Sequence, residues 1–343
     1  MTKFKYRWNL SDGYPDSNHL KVFGTFICGG GSTMGYKLAG FNHLGGVEID
    51  PKIAEVYKIN HSPKYLFNED IREFLTRERY PNELYNLDIL DGSPPCSSFS
   101  MAGNREKDWS KKKVFKEGQA KQRLDDLFFN YVELAKKLQP KVVIAENVKG
   151  LLQGNAKGYV IRIKKEFENA GYKVQLFLLN AASMGVPQKR ERVFFICHRK
   201  DLKFPKLTLN FNERAIPFKE IEDKYDKKVK LIPCLFKLYD FVGQGEAFSK
   251  YHPKGHHFNS NKSDPNKVLP TITADEKGTV HYRFKRVLNS KELSLASSFP
   301  LDYNFLKVKP KYLIGMSVPP VMTANISNEV CKQWFNNEQN RTT

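Results

Sequence analysis

A single cysteine follows a stiff Pro-Pro pair in residues 90–100, whose sequence is LDGSPPCSSFS. An apolar, strand-like run leads into the prolines, and parallel-sheet folds bind their ligands where such strands end. Cys96 could therefore reach a ligand as a nucleophile. A thiol attacks as the thiolate, so this chemistry needs nearby cations that lower its pKa from about 8.5. The alternative, a buried small hydrophobe, suits Cys28 and Cys197 better, because the neighbours of Cys96 are polar.

Suitable cations occur in the sequence QKRER at residues 188–192, directly before an apolar run. Side chains two positions apart in a strand point to the same face, so Arg190 and Arg192 share one face. Glu146 terminates another apolar run, where a carboxylate is costly unless it is paired or works as an acid. The alternative for this cluster is a solvated, charged face without a catalytic role. For Lys189 and Glu191 we prefer this alternative.

A glycine-rich turn, FICGGGS at residues 26–32, separates a strand-like stretch from a helix-like one. Glycine lets the backbone turn sharply and approach a ligand closely. Glu48 ends the next strand-like run, where its carboxylate could accept hydrogen bonds from the ribose of a nucleoside-containing cofactor. A tight turn without a ligand is the alternative. Asp70, after a third segment, is by itself better explained as a helix N-cap.

These residues require elements that bring them to one edge of a sheet. Apolar runs of strand length alternate with helix-period stretches, which predicts crossover units and a parallel sheet. The predicted strands are residues 22–28, 46–49, 87–92, 142–146, 174–179 and 193–197, and the predicted helices are residues 34–39, 51–60, 124–138, 158–170 and 319–335. The fold class is therefore α/β, with a doubly wound, mostly parallel sheet.

The alternation stops at residues 199–270, which are rich in Lys, Pro, Gly, Asn and His. The many aromatic residues in this stretch argue that it folds rather than remaining disordered. We therefore predict a first domain at residues 1–198, a small second domain at residues 199–280, and a C-terminal segment at residues 281–343 that returns to the first domain.

The chain of 343 residues has 56 Lys and Arg against 37 Asp and Glu, a formal net charge of +19. Residues 1–100 are nearly neutral, so the excess lies beyond them. Such a protein attracts polyanions, although a merely soluble basic surface is the alternative. No apolar stretch approaches the roughly 20 residues of a membrane span. The five scattered cysteines lack metal-ligand spacing, so we expect no bound metal, no membrane association and a cytoplasmic location.

In order and spacing, the motifs resemble those of the DNA (cytosine-5) methyltransferases, of the bacterial or phage restriction-modification type. The resemblance is carried by PC at 95–96, ENV at 146–148, QKRER at 188–192, PTIT at 270–273, and the runs 286–300 and 315–320. It covers most of the chain outside residues 199–270. It implies an S-adenosylmethionine-dependent, Rossmann-like catalytic domain and a small target recognition domain.

The resemblance assigns catalytic roles to Cys96, Glu146, Arg190 and Arg192. Cys96 would attack C6 of a cytosine that is flipped out of the duplex. Glu146 would hold the ring through N3 and the exocyclic amine, and Arg192, with Arg190 behind it, would contact the base oxygen and favour the thiolate. The covalent adduct makes C5 nucleophilic enough to accept a methyl group.

The resemblance also implies S-adenosylmethionine as cofactor. The family's cofactor contacts correspond to Phe26, Gly30, Glu48, Ile49, Asp70, Ile71, Pro95, Leu127 and Ser317. Phe26 and Ile49 would enclose the adenine, and Glu48 would bind the ribose. Two positions depart from the family pattern: Cys28 replaces a glycine of the first motif, and Met316 replaces an asparagine of the last, which removes one polar contact to the cofactor.

Double-stranded DNA is the expected partner, and residues 97–121 resemble the loop that closes over the flipped base. The candidate DNA-binding residues are Ser97, Ser100, Arg105, Lys111, Lys112, Lys113, Gln244, Thr271 and Ile272. A few of Gln244, Lys250, His252, His256, His257 and Asn259 are expected to read bases. The resemblance further implies a monomer that functions beside a restriction endonuclease.

Three other functions share some of these features. A tRNA-methylating relative would carry a Cys-Phe-Thr tripeptide, which is absent. A non-catalytic DNA-binding protein could keep the fold, and the departures at Cys28 and Met316 would suit it. A nicotinamide oxidoreductase would explain the glycine turn and Glu48, but not Cys96 together with the arginines.

Overall fold

The computed structural model describes residues 4–95, 126–154, 156–226, 231–257, 260–275 and 278–336. Its centre is a seven-stranded sheet in the order β3-β2-β1-β4-β5-β7-β6. The strands are β1 (Lys21–Thr25), β2 (Asn42–Val47), β3 (Tyr65–Phe67), β4 (Ile89–Gly92), β5 (Val142–Val148), β6 (Tyr172–Asn180) and β7 (Glu191–Arg199). Neighbouring strands from β3 to β5 pair in parallel, and β7 runs antiparallel to both β5 and β6. The expected α/β, mostly parallel sheet is confirmed.

Helices cover both faces of this sheet. They are α1 (Gly31–Leu38), α2 (Pro51–His61), α3 (Ile71–Thr76), α4 (Leu127–Leu138), α5 (Ala156–Asn169), α6 (Pro233–Leu238), α7 (Ser290–Ala296), α8 (Pro310–Met316) and α9 (Pro320–Val330). β5 shows why both faces must be covered. Val143 and Ala145 pack into the core beneath α3, α4 and α5, whereas Val142 and Ile144 pack into the core shared with α1 and α9. A strand buried on both faces is continuously apolar, as residues 142–145 of β5 are.

The long apolar strands lie where the sequence predicts them. The prediction is less accurate at the edge of the sheet formed by β3 and β2. β2 starts four residues before the predicted run, because Gly45 and Gly46 interrupt its apolar pattern; Gly45 has φ +126°, at the bulge where its register with β1 shifts. β3, at the edge of the sheet, was not predicted. It has only three half-buried residues, too few to give a periodic signal.

The segment after β7 divides its packing between the main body and a small core of its own. Phe204, Leu207 and Leu209 lie in the core that contains α1 and α9. A separate cluster contains Leu231, Leu235, Tyr239, Val242, Phe248 and Val280. The domain boundaries at 199 and 280 remain a prediction. In the described parts of the chain, no helix is long and apolar enough to span a membrane.

The C-terminal segment returns to the sheet through α9, which packs against α1. Gly35 of α1 makes this close approach possible, because a Cβ there would overlap the side chain of Thr323 and the carbonyl of Pro320. The return also brings α8 beside the turn that follows β1: a Cβ at Gly29 would overlap the side chain of Leu313. The first and last motifs of the sequence therefore meet in space.

Candidate active site

The glycine-rich turn after β1 has a left-handed backbone at alternate residues. Phe26, Cys28 and Gly30 have φ values of +54°, +48° and +75°. Gly30 has a second constraint, because a Cβ there would overlap the imidazole of His61. That imidazole is buried and lies 3.1 Å from the carbonyl oxygen of Gly29. His61 of α2 therefore packs against one side of the turn, and the other side of the turn faces the cavity described below.

Glu48 follows β2 at the same sheet edge and is 8% exposed. Its Oε2 accepts a hydrogen bond from the backbone N–H of Cys28 at 2.9 Å, and its Oε1 accepts one from Asp50 at 3.0 Å. Burial raises the pKa of Glu48 to about 7, although these backbone donors oppose the shift. The carboxylate therefore ties the first turn to the second and takes up a proton more readily than an exposed glutamate.

Asp70 caps a helix and also lines the cavity described below. It is the N-cap of α3, and its Oδ1 accepts from the backbone N–H of Arg72 at 2.8 Å. The Arg72 guanidinium also donates to Oδ2 at 2.6 Å. Burial alone would raise the pKa of Asp70, but the hydrogen bonds from Arg72 lower it below its usual range. Asp70 is therefore an ionised cap that also lines the cavity.

A cavity of about 790 Å³ opens at the carboxyl edge of the sheet. Seven of the nine predicted cofactor residues line it: Phe26, Glu48, Ile49, Asp70, Ile71, Pro95 and Leu127. It also includes residues that the motifs did not indicate: Val47, Ile53, Glu69, Ser93 and Tyr312. The two departures from the family pattern, Cys28 and Met316, lie in the same wall.

A second cavity of about 320 Å³ shares Phe26, Cys28, Ser93 and Met316 with the first. Ser317, the eighth predicted cofactor residue, lines this smaller cavity. Its hydroxyl donates to the carbonyl oxygen of Leu313 at 2.8 Å. The ninth predicted residue, Gly30, lines neither cavity. It packs against the imidazole of His61, and its neighbour Gly31 lines the smaller cavity.

Glu146 and Arg192 form an ion pair near the end of β5. Arg192 Nε lies 2.8 Å from Glu146 Oε1, and both side chains are 12% exposed. The antiparallel pairing of β5 with β7 brings them together, since Arg192 is the partner of Val148 in the register. Burial lowers the pKa of Arg192, and the charge of Glu146 opposes this shift.

Asn147 connects this pair to Pro94, two residues before Cys96 in the sequence. Its side-chain amide donates to the carbonyl oxygen of Pro94 at 3.1 Å, and Asn147 is 3% exposed. The motif analysis gave Asn147 no role of its own. The sequence did contain a sign of its importance: Asn147 follows Glu146 at the end of an apolar, buried strand. A buried side-chain amide requires a hydrogen-bond partner.

Arg190 is 2% exposed and bonds to the backbone of two distant segments. One guanidinium nitrogen donates to Ile272 O, and the other donates to the carbonyl oxygens of Gly315 and Ser317, each at 2.9 Å. Burial, followed by the charge of Arg192, lowers its pKa well below the usual range. These contacts direct Arg190 toward the C-terminal segments that frame the cavity.

The candidate DNA-binding residues are only partly visible. Cys96, Ser97, Ser100, Arg105 and Lys111–Lys113 lie outside the described residues. Gln244 is exposed, and Thr271 donates through its hydroxyl to Lys189 O at 2.7 Å. Ile272 is 3% exposed, and its backbone N–H donates to Gln188 Oε1 at 2.9 Å. The structure thus packs the Ile272 side chain in a core and does not present it at the surface.

The fold and site together define a Rossmann-like α/β protein, with a cavity at the carboxyl edge of its sheet and an Arg–Glu ion pair near the end of β5. The model of the C-5 cytosine-specific DNA methylases matches residues 20–332, and the chain belongs to this family. The resemblance inferred from the motifs is confirmed.

Curated relatives include bacterial restriction-modification enzymes. The chain is 40% identical over 208 residues to the Type II methyltransferase M.FnuDI of Fusobacterium nucleatum, covering 61% of this chain and 54% of the relative. It is 35% identical over 241 residues to M.NgoPII of Neisseria gonorrhoeae, covering 68% and 65%. The match to M1.HphI of Haemophilus parahaemolyticus, 29% identical, covers 91% and 87%. The first two matches therefore span less than two thirds of those relatives.

Solved structures share the fold. A protein encoded within an E. coli prophage superimposes with a TM-score of 0.69 at 19% identity, covering 92% of this chain and 99% of that chain. Spodoptera frugiperda DNMT2 gives a TM-score of 0.64 at 17% identity, covering 91% and 99%.

Proposed function

We propose that the protein is a DNA (cytosine-5) methyltransferase that transfers a methyl group from S-adenosylmethionine to a cytosine in duplex DNA. The observation that carries the proposal is the Glu146–Arg192 ion pair, at 2.8 Å. Asn147 connects this pair to Pro94, directly before the loop that contains Cys96. Membership of the family supports the same reaction.

The residues of the larger cavity suit S-adenosylmethionine. Phe26 and Ile49 supply apolar surface for an adenine ring, and Glu48 supplies a carboxylate for the ribose hydroxyls. Asp70 supplies an ionised acceptor for the adenine amino group. When bound, S-adenosylmethionine supplies an electrophilic methyl group.

The proposed reaction uses Cys96 as the nucleophile. Its thiolate would form a bond to C6 of cytosine, and the electron pair of the C5–C6 double bond would then bond to the methyl group at C5, as the bond from that methyl group to sulfur breaks and leaves S-adenosylhomocysteine. Loss of the C5 proton to a base restores the double bond and expels the Cys96 thiolate. Covalent catalysis of this kind divides one difficult step into easier ones.

Glu146 and Arg192 would hold the cytosine during this sequence. Glu146 can bind N3 and the exocyclic amine, and Arg192 can donate to the base oxygen, because the pair is fixed yet still 12% exposed. We assign Arg190 a positioning role, since its guanidinium already donates to Ile272, Gly315 and Ser317. It would hold the cavity wall and the target recognition segment in place.

The basic part of the chain would bind the DNA. Ser97, Ser100, Arg105 and Lys111–Lys113 would contact phosphates and the flipped base, while Gln244 and Thr271 would lie against the target. We further propose a monomeric, cytoplasmic protein that functions beside a restriction endonuclease, as the Type II names of its relatives suggest.

Transfer of tritiated methyl groups from S-adenosylmethionine tests the function directly. Wild-type protein should label duplex DNA and leave tRNA unlabelled, and Cys96→Ser should abolish labelling while retaining S-adenosylhomocysteine and DNA binding. A duplex containing 5-fluorocytosine should trap a covalent complex, because the C5 proton is absent. DNA binding without any incorporation would instead favour a non-catalytic binding protein, and labelling of tRNA alone would favour an RNA methyltransferase.

A further inference from the structure

A buried carboxylate lies at the smaller cavity, and the motifs gave it no role. Asp91 belongs to β4, two residues before Ser93, and is 7% exposed. It lines the cavity of about 320 Å³ together with Ser32, Ser93 and Ser317. The smaller cavity shares four lining residues with the larger one, so the two cavities lie side by side.

The charge of Asp91 is not balanced by a cation within the described parts of the chain. Tyr36 donates its hydroxyl to Asp91 Oδ1 at 3.0 Å, and the Ser32 side chain also forms a hydrogen bond to the carboxylate. The nearby charge of Glu146 is negative. Burial, with this repulsion, raises the pKa of Asp91 to about 7. A buried carboxylate with neutral partners is costly unless a cation approaches it.

The two cavities would hold opposite ends of a ligand that joins a nucleoside to an amino acid. Glu48 and Asp70 are in the larger cavity, where the nucleoside would lie. The amino acid end would then extend toward Ser317 and Asp91. Met316 lies between the two cavities, and its thioether supplies no strong hydrogen bond where the family pattern has an asparagine.

From this arrangement we propose that Asp91 binds the α-ammonium group of S-adenosylmethionine and so compensates for the polar contact absent at Met316. The inference rests on the proposed function. A charge-assisted hydrogen bond in a water-poor cavity is among the stronger polar contacts. Asp91 would therefore make a large contribution to recognition of the amino acid end and none to recognition of the nucleoside.

Calorimetric binding to the full chain tests this assignment, with S-adenosylhomocysteine and 5′-methylthioadenosine as probes. The second probe keeps the nucleoside and lacks the amino acid. Asp91→Asn should weaken S-adenosylhomocysteine binding by about tenfold or more and change 5′-methylthioadenosine binding by less than about twofold. Asp88→Asn is the matched control, because Asp88 is also buried, at 8% exposed, and pairs with Lys141 away from the cavity.

A deaminated analogue of S-adenosylhomocysteine provides a test in which the wild-type protein is unchanged. The wild type should bind this analogue about tenfold more weakly than S-adenosylhomocysteine, whereas Asp91→Asn should bind the two equally. Equal losses for both nucleosides, a similar loss in Asp88→Asn, or wild-type indifference to the ammonium group would overturn the assignment. Those results would leave the proposed function standing, whereas failure of the wild type to bind S-adenosylhomocysteine would reject both.

Discussion

Cys28 is accommodated in the cavity wall as a packed, neutral thiol. Its backbone has φ +48°, a conformation that costs a residue with a Cβ roughly 1–2 kcal/mol. The Ser317 hydroxyl lies 3.7 Å from its sulfur, and burial raises the pKa of the thiol to about 12. The substitution for glycine therefore introduces strain but leaves the turn and its hydrogen bond to Glu48 intact.

Gly30→Ala should destabilise the protein because it combines an unfavourable φ with a steric overlap. The left-handed conformation alone costs about 1 kcal/mol, and the new Cβ would also displace the buried His61. We expect a loss of at least about 2 kcal/mol in the free energy of unfolding, measured with urea. Gly154→Ala is the matched control, since Gly154 has φ +57° and open space around it. Equal losses in the two variants would contradict the role of His61.

At the scale of elements, Arg190 connects the start of β7 to two returning segments of the chain. One segment, at Ile272, lies within the predicted target recognition domain at residues 199–280, and the other ends α8 at Met316. Both segments form parts of the candidate site: Met316 lines both cavities, and Thr271 lies at the surface. A single buried guanidinium thus sets the position of segments that are far apart in sequence.

Arg190→Gln should therefore loosen this junction. Three carbonyl oxygens lose a buried donor, and each unsatisfied group costs about 1–3 kcal/mol, so we expect at least about 3 kcal/mol of destabilisation in urea unfolding. Arg199→Gln, at the other end of β7, is the control, because Arg199 pairs with the exposed Asp201 and its loss should cost less than about 1 kcal/mol. A small, equal effect in both variants would show that Arg190 does not hold the junction.

The elements could be predicted to the extent that they have a periodic apolar pattern. α4 was expected because Phe128, Tyr131, Leu134 and Ala135 repeat on one face, and all four are buried. β3 escaped prediction because it is short and half-buried. Arg190 and Arg192 were expected to point the same way, but their separate partners depend on which distant segments pack beside β7.

At the scale of the whole molecule, the net charge of +19 is distributed unevenly along the chain. The nearly neutral residues 1–100 contain most of the residues that line the larger cavity. The excess of basic over acidic residues begins near Arg105. This division predicts that DNA binding and cofactor binding can be changed separately.

Replacing Lys111, Lys112 and Lys113 by glutamine should weaken DNA binding and leave S-adenosylhomocysteine affinity unchanged. Each phosphate contact that is lost should also reduce the slope of log K against log salt concentration by about 1. Fluorescence anisotropy with duplex DNA at several salt concentrations, together with calorimetry for the cofactor product, measures both effects. Equal losses of the two affinities would contradict the division of charge.

Glu48 and Asp91 should each lower the stability of the ligand-free protein as pH rises from about 5.5 to 8. Glu48 and Asp91 both have folded-state pKa values raised to about 7, so the stabilising protonated forms are lost as pH rises through that value. The charges facing them are those of Asp50 and Glu146. Each carboxyl contributes on the order of 2 kcal/mol over this range.

Urea unfolding of the wild type and of a Glu48→Gln, Asp91→Asn double variant measures this effect. His61 and His281 act in the opposite direction: burial lowers their pKa in the folded protein to about 3, so only the unfolded chain loses a proton as pH rises through about 6.5. The double variant should therefore gain stability relative to the wild type as pH rises from about 5.5 to 8. An unchanged slope would show that neither carboxyl retains its proton in the folded state.

The sequence by itself determined the fold class, the family and most of the cavity wall. Periodic apolar runs specify buried strands and helices locally, and residues at the ends of parallel strands must meet at one edge. Glu48 could therefore be placed beside the glycine-rich turn before any coordinates, and the family resemblance added Phe26 and Asp70 to the same site. Tertiary structure decided what depends on long-range packing: the partners of Arg190, the contact between Asn147 and Pro94, and the buried, uncompensated charge of Asp91. Hydrogen bonding and desolvation depend on which segments converge, and a linear pattern does not contain that information.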